Sequence, residues 1–176
     1  MASAHRRAPF GFTLVELMAV VVVIAVLATV LLERMIWYQE RAEKIAMESV
    51  VSVLRAALQF QAAGRLVRGE GPELRTLVDE NPMTWLATRP ANYLGPLDRE
   101  AIASAPVGHW YFDPADGTLV YRLRHHRYFE TPEGERAEVR FRTVVDYAAA
   151  AGGAAAVLKT LDVVPLRAYR WFADEA

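Results

Sequence analysis

An α+β fold, with a long N-terminal helix packed on a small antiparallel β-sheet, is predicted by three features of the sequence. The chain is apolar almost without a break from Phe12 to Leu32. No glycine or proline interrupts it from Phe12 to Ala63, and beyond Gly64 it changes to short alternating runs separated by turn residues. A helical pattern of that length outruns a single globular domain, whereas the later runs have the length of strands.

The helix comes first. Phe12 to Ala63 makes about 52 residues, or roughly 78 Å of helix. Its first part, Phe12 to Leu32, spans about 32 Å and matches a bilayer core. A secretory signal peptide has a shorter apolar region followed by a small-x-small cleavage site. Leu31-Leu32-Glu33-Arg34-Met35 offers no such site, so the segment is expected to stay on the mature protein. Arg6 and Arg7 precede the span, and the positive-inside rule keeps them cytoplasmic and puts the remainder across the membrane. The outer half, Glu33 to Gly64, reads as amphipathic: Met47, Val50, Val51, Leu54, Ala57, Leu58 and Gln61 make one stripe at three- and four-residue spacing. Glu40, Arg41, Glu43, Lys44, Glu48 and Arg55 are expected to form the solvated remainder. The stripe is expected to dock on the chain's own C-terminal part, since a coiled coil would need sustained heptads, which the stripe lacks.

Gly64, Gly69, Gly71 and Pro72 should end the helix, with a short helix at Glu73 to Glu80 broken by Asn81-Pro82. His109 to Asp113 and Thr118 to Leu123 read as strands joined by the turn Pro114-Ala115-Asp116-Gly117. Ala137 to Asp146 reads as a third strand: Val139, Phe141 and Thr143 alternate with Arg140, Arg142 and Val144. Ala148 to Ala156 is low-complexity Ala/Gly, expected as a loop or weak helix, and Ala168 to Phe172 as a fourth strand or a covering segment.

Composition narrows the function. Lys and Arg total 20 against 21 Asp and Glu, so net charge supplies no general attraction to nucleic acid. Cysteine is absent, which excludes disulfides and thiolate metal sites. Glu16 is the anomaly. A carboxylate near the centre of a spanning helix costs about 2.5 to 3.5 kcal/mol, less near the interface, and intramembrane ionisable groups usually have a partner or a task.

Gly11-Phe12-Thr13-Leu14-Val15-Glu16-Leu17, after a short basic prefix and before a long apolar helix, resembles the N-terminal motif of type IV pilins and type II secretion pseudopilins. The resemblance implies cleavage between Gly11 and Phe12 by a prepilin peptidase, N-methylation of Phe12, and subunit assembly in which Glu16 meets the Phe12 amine of a neighbouring subunit. Opposite charges attract strongly in a low-dielectric bundle and are costly there when alone, which makes Glu16 a register device. Within its own chain Glu16 also lies near the helix N-terminus, where the macrodipole favours an anion by roughly 0.3 to 1 kcal/mol. The chain departs from the family at Ala25 and Glu33, where many members have glycine and proline around a stretch of helix that melts in filaments. Alanine and glutamate are good helix formers, so the helix should run through, and a standard major pilin is disfavoured.

The expected organisation is a cleaved leader at 1–11, a transmembrane and assembly half at 12–32, an amphipathic half at 33–64 and a periplasmic β-rich domain at 65–176. The expected function is a non-enzymatic minor pilin or pseudopilin subunit, anchored by one pass in the bacterial inner membrane with a cytoplasmic N-terminus. Its implied partners are the prepilin peptidase, other pilin or pseudopilin subunits, the assembly platform and the membrane. The competing class is a signal-anchored periplasmic enzyme or ligand-binding module.

Other chemistry is faint. No cofactor is indicated, and no Ser/His/Asp grouping, paired carboxylate or phosphate-binding glycine loop stands at a familiar spacing. Some pseudopilins bind calcium in this domain, and Asp113 and Asp116 are the residues that could serve, but their spacing does not fit an EF-hand and a turn accounts for them. His125 and His126 are expected as solvated loop histidines, because adjacent strand residues face opposite sides. Arg122, Arg124 and Arg127, interleaved with Tyr121 and Tyr128, could contact DNA but are expected as a solvated face; no nucleic-acid partner is expected.

Overall fold

The computed structural model describes residues 13–130, 135–148 and 157–172, with the side chains of residues 72, 148 and 157 left aside. The leader positions up to Gly11, the residue Phe12 that follows them, and the Ala/Gly tract at 149–156 lie outside the described residues.

Helix α1 runs without interruption over Leu14–Val67. The continuity expected from Ala25 and Glu33 is present, and the helix passes Gly64, the first of the residues expected to end it, and stops before Gly69, the second. Termination comes at Gly69, whose φ of 78° is open to glycine at little cost. Its N–H donates to the Leu66 carbonyl at 3.0 Å and the Glu70 N–H to Arg65 at 2.9 Å. That is a Schellman pair, and it satisfies carbonyls that the last turn would otherwise orphan. The chain divides into two compact units, 1–39 and 40–176. The first, as described, is helix alone, and every large apolar side chain from Leu14 to Leu32 at which exposure is given stands open.

In the second unit the outer part of α1 packs on a five-stranded sheet of order β1-β2-β3-β4-β5. The strands are β1 (Tyr93–Pro96), β2 (His109–Asp113), β3 (Thr118–Arg122), β4 (Glu138–Ala148) and β5 (Val157–Pro165). Pairing is antiparallel except between β1 and β2. Strands β2 and β3, with the turn between them, and β4 fall where the alternating pattern placed them. Strands β1 and β5 were not anticipated, nor was the short helix α2 (Arg99–Ser104), whose N-cap Asp98 accepts from the Ala101 N–H at 2.8 Å. The segment Gly71–Val78 is a 3₁₀ helix rather than an α-helix. No strand forms at 168–172; a single bridge joins Phe129 to Trp171, and Trp171 and Phe172 are buried as a cover.

Both faces of the central strands are covered. Trp110, Phe112, Leu119, Tyr121, Val139 and Phe141 share one face by register, and Tyr121 reaches α1 through Glu43. Tyr111 and Val120 share the other, where they pack with Ala105 and with Leu97 and Ile102 around α2. On α1, Met47, Val51, Leu54, Leu58 and Ala62 are buried, the spacing expected of the docking stripe. Arg55 ties the helix to the edge strand β5, donating to Asp162 at 2.8 Å and to the Val163 carbonyl at 2.9 and 3.1 Å.

Candidate functional site

The start of α1 is built by Thr13 and Glu16. The Thr13 carbonyl accepts from the Leu17 N–H at 3.1 Å, and its hydroxyl from the Glu16 N–H at 3.3 Å. Thr13 is therefore the N-cap, and Glu16 stands at the third helical position, where a capping box places its acid. Sequence reading credited Glu16 to the helix dipole and to assembly and passed over Thr13. The signal was available, since threonine followed three residues later by glutamate marks a helix start. Glu16 itself is exposed.

The outer half of α1 has a second face that sequence reading did not find. Ala42, Ile45, Ala46, Ser49, Ser52, Val53, Ala56, Gln59, Phe60, Ala63, Leu66 and Val67 are all exposed, and none carries a charge. Phe60 is 80% exposed and Val67 89%. Ala46, Val53, Phe60 and Val67 recur every seventh residue, as do Ala42, Ser49, Ala56 and Ala63. The seven-residue spacing, which the buried stripe holds only from Met47 to Leu54 and from Val51 to Leu58, is sustained here over four positions in each row and suits a second helix. Exposed apolar side chains gathered along one helix face are a common feature of interaction surfaces.

Two glutamates expected on the solvated face have a different role. Glu40 is fully buried. Its Oε1 accepts from the Tyr128 N–H at 2.8 Å and from Trp171 Nε1–H at 2.9 Å, and its Oε2 from the Arg127 N–H at 3.1 Å. Three residues on, Glu43 accepts from the Arg124 N–H at 2.7 Å, the Tyr121 hydroxyl at 2.9 Å, and both the N–H and Nδ1–H of His125 at 2.9 and 2.7 Å. The i, i+3 spacing puts both carboxylates on one helix face. Together they satisfy four amides of a loop that leaves β3 with no strand partner, by charge-assisted bonds worth about 1.5 to 3 kcal/mol each. His125 is thereby half buried on Glu43, contrary to the expectation of two solvated histidines, and only His126 is exposed. Tyr121 is buried too. Burial, reinforced by the neighbouring Glu43 carboxylate, raises its hydroxyl pKa well above the ordinary tyrosine value.

The remaining candidates are held by local partners. Arg122 donates to the Ala105 carbonyl and Tyr121 is buried, so of the interleaved cluster read from sequence only Arg124, Arg127 and Tyr128 remain exposed. Asp113 caps the hairpin turn by accepting from the Ala115 N–H at 3.1 Å, and Arg140 lies 3.5 Å from Asp113 and 3.2 Å from Asp116. Among the described residues, no group of three or more His, Cys, Asp or Glu is placed to hold a metal ion.

A family model for the prokaryotic N-terminal methylation motif matches residues 6–32. The chain carries this methylation motif. It is the signature of type IV pilins and pseudopilins, so the likeness read from Gly11 to Leu17 holds over that stretch. No curated protein and no solved structure matches the chain. The methylation motif supports a prepilin-processed protein, implies a prepilin peptidase and assembly with other pilin-type subunits, and belongs to proteins that are generally structural. It opens a helix long and apolar enough to cross a membrane, which together with the motif points to a membrane-anchored protein. It does not extend to the clamp of Glu40 and Glu43 or to the exposed face from Ala42 to Val67.

Proposed function

We propose that the chain is a minor pilin or pseudopilin subunit, cleaved between Gly11 and Phe12, N-methylated on Phe12, and assembled through α1 into a type IV pilus or type II secretion pseudopilus. It is anchored before assembly in the bacterial inner membrane by one pass, with the N-terminus cytoplasmic and residues 65–176 periplasmic. Its role is structural, and Glu16 sets register by pairing with the Phe12 amine of a neighbour. The observation that carries this reading is the uncharged exposed face from Ala42 to Val67, on the same helix that begins with the methylation motif.

Mass spectrometry of the protein from its native host tests the processing half. A mature chain beginning at methylated Phe12 is expected, and a chain retaining Met1 to Gly11 with no processed species would falsify the assignment. Crosslinking in sheared filament fractions tests the assembly half. Glu16→Leu should insert in the membrane at least as well as wild type, because a costly carboxylate leaves the span, yet fail to enter filaments. Phe60→Asp should fold and still be lost from filaments.

A further inference from the structure

The clamp on α1 has an outward consequence. Glu40 and Glu43 turn their carboxylates inward onto the amides of residues 124–128, so these two negative charges are spent internally, while the exposed Glu130 lies 3.5 Å from Arg170. The side chains of that loop, Arg124, His126 and Arg127, are exposed, and Tyr128 beside them is 38% exposed while stacked on Phe172. Arg124 is directed by Gly108, where a Cβ would stand 2.8 Å from the guanidinium Nε. No carboxylate pairs with the side chain of Arg124 or Arg127 among the described residues. The loop is held to Glu40, eight residues beyond Leu32, where the apolar run ends. Eight residues span at most about 28 Å, so the tether alone keeps the loop within reach of headgroups if the apolar run is in a bilayer. Exposed cations beside an interfacial aromatic are the chemistry of an anionic lipid surface.

We infer that the loop of Arg124, His126 and Arg127 binds the phosphate headgroups of anionic lipids and so orients the domain on the membrane before assembly. This rests on the membrane-anchored reading above. Two arginines at an anionic surface should shift the docked population about 30-fold, and the attraction should fade in 1 M salt, where the Debye length is about 3 Å.

The chain has no cysteine, so a single fluorophore on His126→Cys reports alone. The full chain is reconstituted in vesicles of phosphatidylcholine, with or without one-quarter phosphatidylglycerol, and quenched by a headgroup-labelled lipid. Flotation of the vesicles scores anchoring separately from loop contact, so failure of the anchor and failure of the loop are distinguishable. Stronger quenching in the anionic vesicles, lost in 1 M NaCl and in Arg124→Gln/Arg127→Gln, is expected. Both arginines give only backbone amides to the clamp, and an unchanged melt of the variant checks that the fold is kept. Equal quenching in floated vesicles of both kinds overturns the inference. So does lipid-independent behaviour accompanied by retention of a DNA duplex that the double variant loses.

Discussion

Between Ala42 and Val67 the helix α1 presents two apolar faces. Met47, Val51, Leu54, Leu58 and Ala62 are sealed against the sheet, while Ile45, Val53, Phe60 and Val67 stand in solvent on the other side. The covered face is apolar and meets two glutamates, Glu40 just before it and Glu43 within it, whereas the open face is uncharged along its centre, with the exposed Glu48 and Arg55 at its edge. Polarity along the sequence therefore does not tell inside from outside on this helix. What separates the faces is the partner each requires: the covered one needs donors and apolar strands that this chain supplies, and the open one needs a surface that it does not.

The largest test of that difference is truncation. A chain beginning at Arg34 retains the covered face and should fold as a soluble domain, although the open face should lower its solubility. A chain beginning at Glu70 loses Met47, Val51, Leu54, Leu58 and Ala62. At about 1.5 to 3 kcal/mol for each larger side chain, that loss rivals the whole stability of a typical domain, about 5 to 15 kcal/mol. Circular dichroism should show a cooperative melt for the first and none for the second. Cooperative unfolding of both would move the covered face from the fold to an interface.

Single substitutions sharpen the same comparison. Leu54 has no exposed surface, and Leu54→Ala should destabilise by about 2 to 5 kcal/mol. Phe60→Ala removes a larger side chain from the open face and should stay within about 0.5 kcal/mol of wild type in denaturant titration. If the two variants lose comparable stability, the open face is packed in the chain's own fold and the proposed assembly surface is wrong.

Glu40→Leu asks whether the carboxylates on the covered side hold the fold or merely decorate it. The replacement is apolar and of similar size, so packing survives while the Arg127 and Tyr128 amides and the Trp171 indole lose their acceptor. Unsatisfied buried donors cost about 1 to 3 kcal/mol each, so three cost about 3 to 9; the variant no longer buries a charge, which offsets part of this, and a net loss of roughly 2 to 5 kcal/mol is expected, with early amide exchange at 124–128. A neutral outcome would mean that water replaces the carboxylate without penalty.

How much of this was legible follows from which signals are local. The long helix, its membrane-length half, β2, β3 and β4, and the stripe from Met47 to Leu58 were readable because periodicity and turn residues act within a few positions of each other. Strand β5 was missed because it is an edge strand in which, among the residues 158–165 whose burial is described, only Val163 is fully buried, so its two faces differ little in polarity. Strand β1 is four residues long and depends on pairing with β2. The capping role of Thr13 was readable and overlooked. The clamp was not readable: nothing near Glu40 and Glu43 announces that amides some 80 residues away will require acceptors. Short range also explains why residues 6–32 match a known motif although their start lies outside the described residues.

The smallest expected effect is a pH response confined to the sheet and the covered face. Tyr121 donates to Glu43, and Tyr111, on the opposite face of the sheet, to Glu138 at 3.2 Å. Burial, aided by those carboxylates, pushes Tyr111 up to about 12 and Tyr121 up as well. Both folded values lie above the ordinary tyrosine pKa of about 10 that the unfolded chain would show. The protonated phenols thus stabilise the fold fully below pH 10, and the contribution is lost as pH rises from there through the folded pKa values. At pH 11 the unfolded state has gained about 1.4 kcal/mol for each such tyrosine. Thermal melts from pH 8 to 12 should be level at first and then decline. Tyr121→Phe should begin lower, having lost its bond to Glu43, and decline less steeply, so the gap between the two curves narrows toward pH 11. Phe60→Ala should track wild type throughout, because Phe60 touches neither phenol's environment. Parallel curves for Tyr121→Phe and wild type would remove Tyr121 from the alkaline response and would show that its hydroxyl is not held against Glu43 in solution.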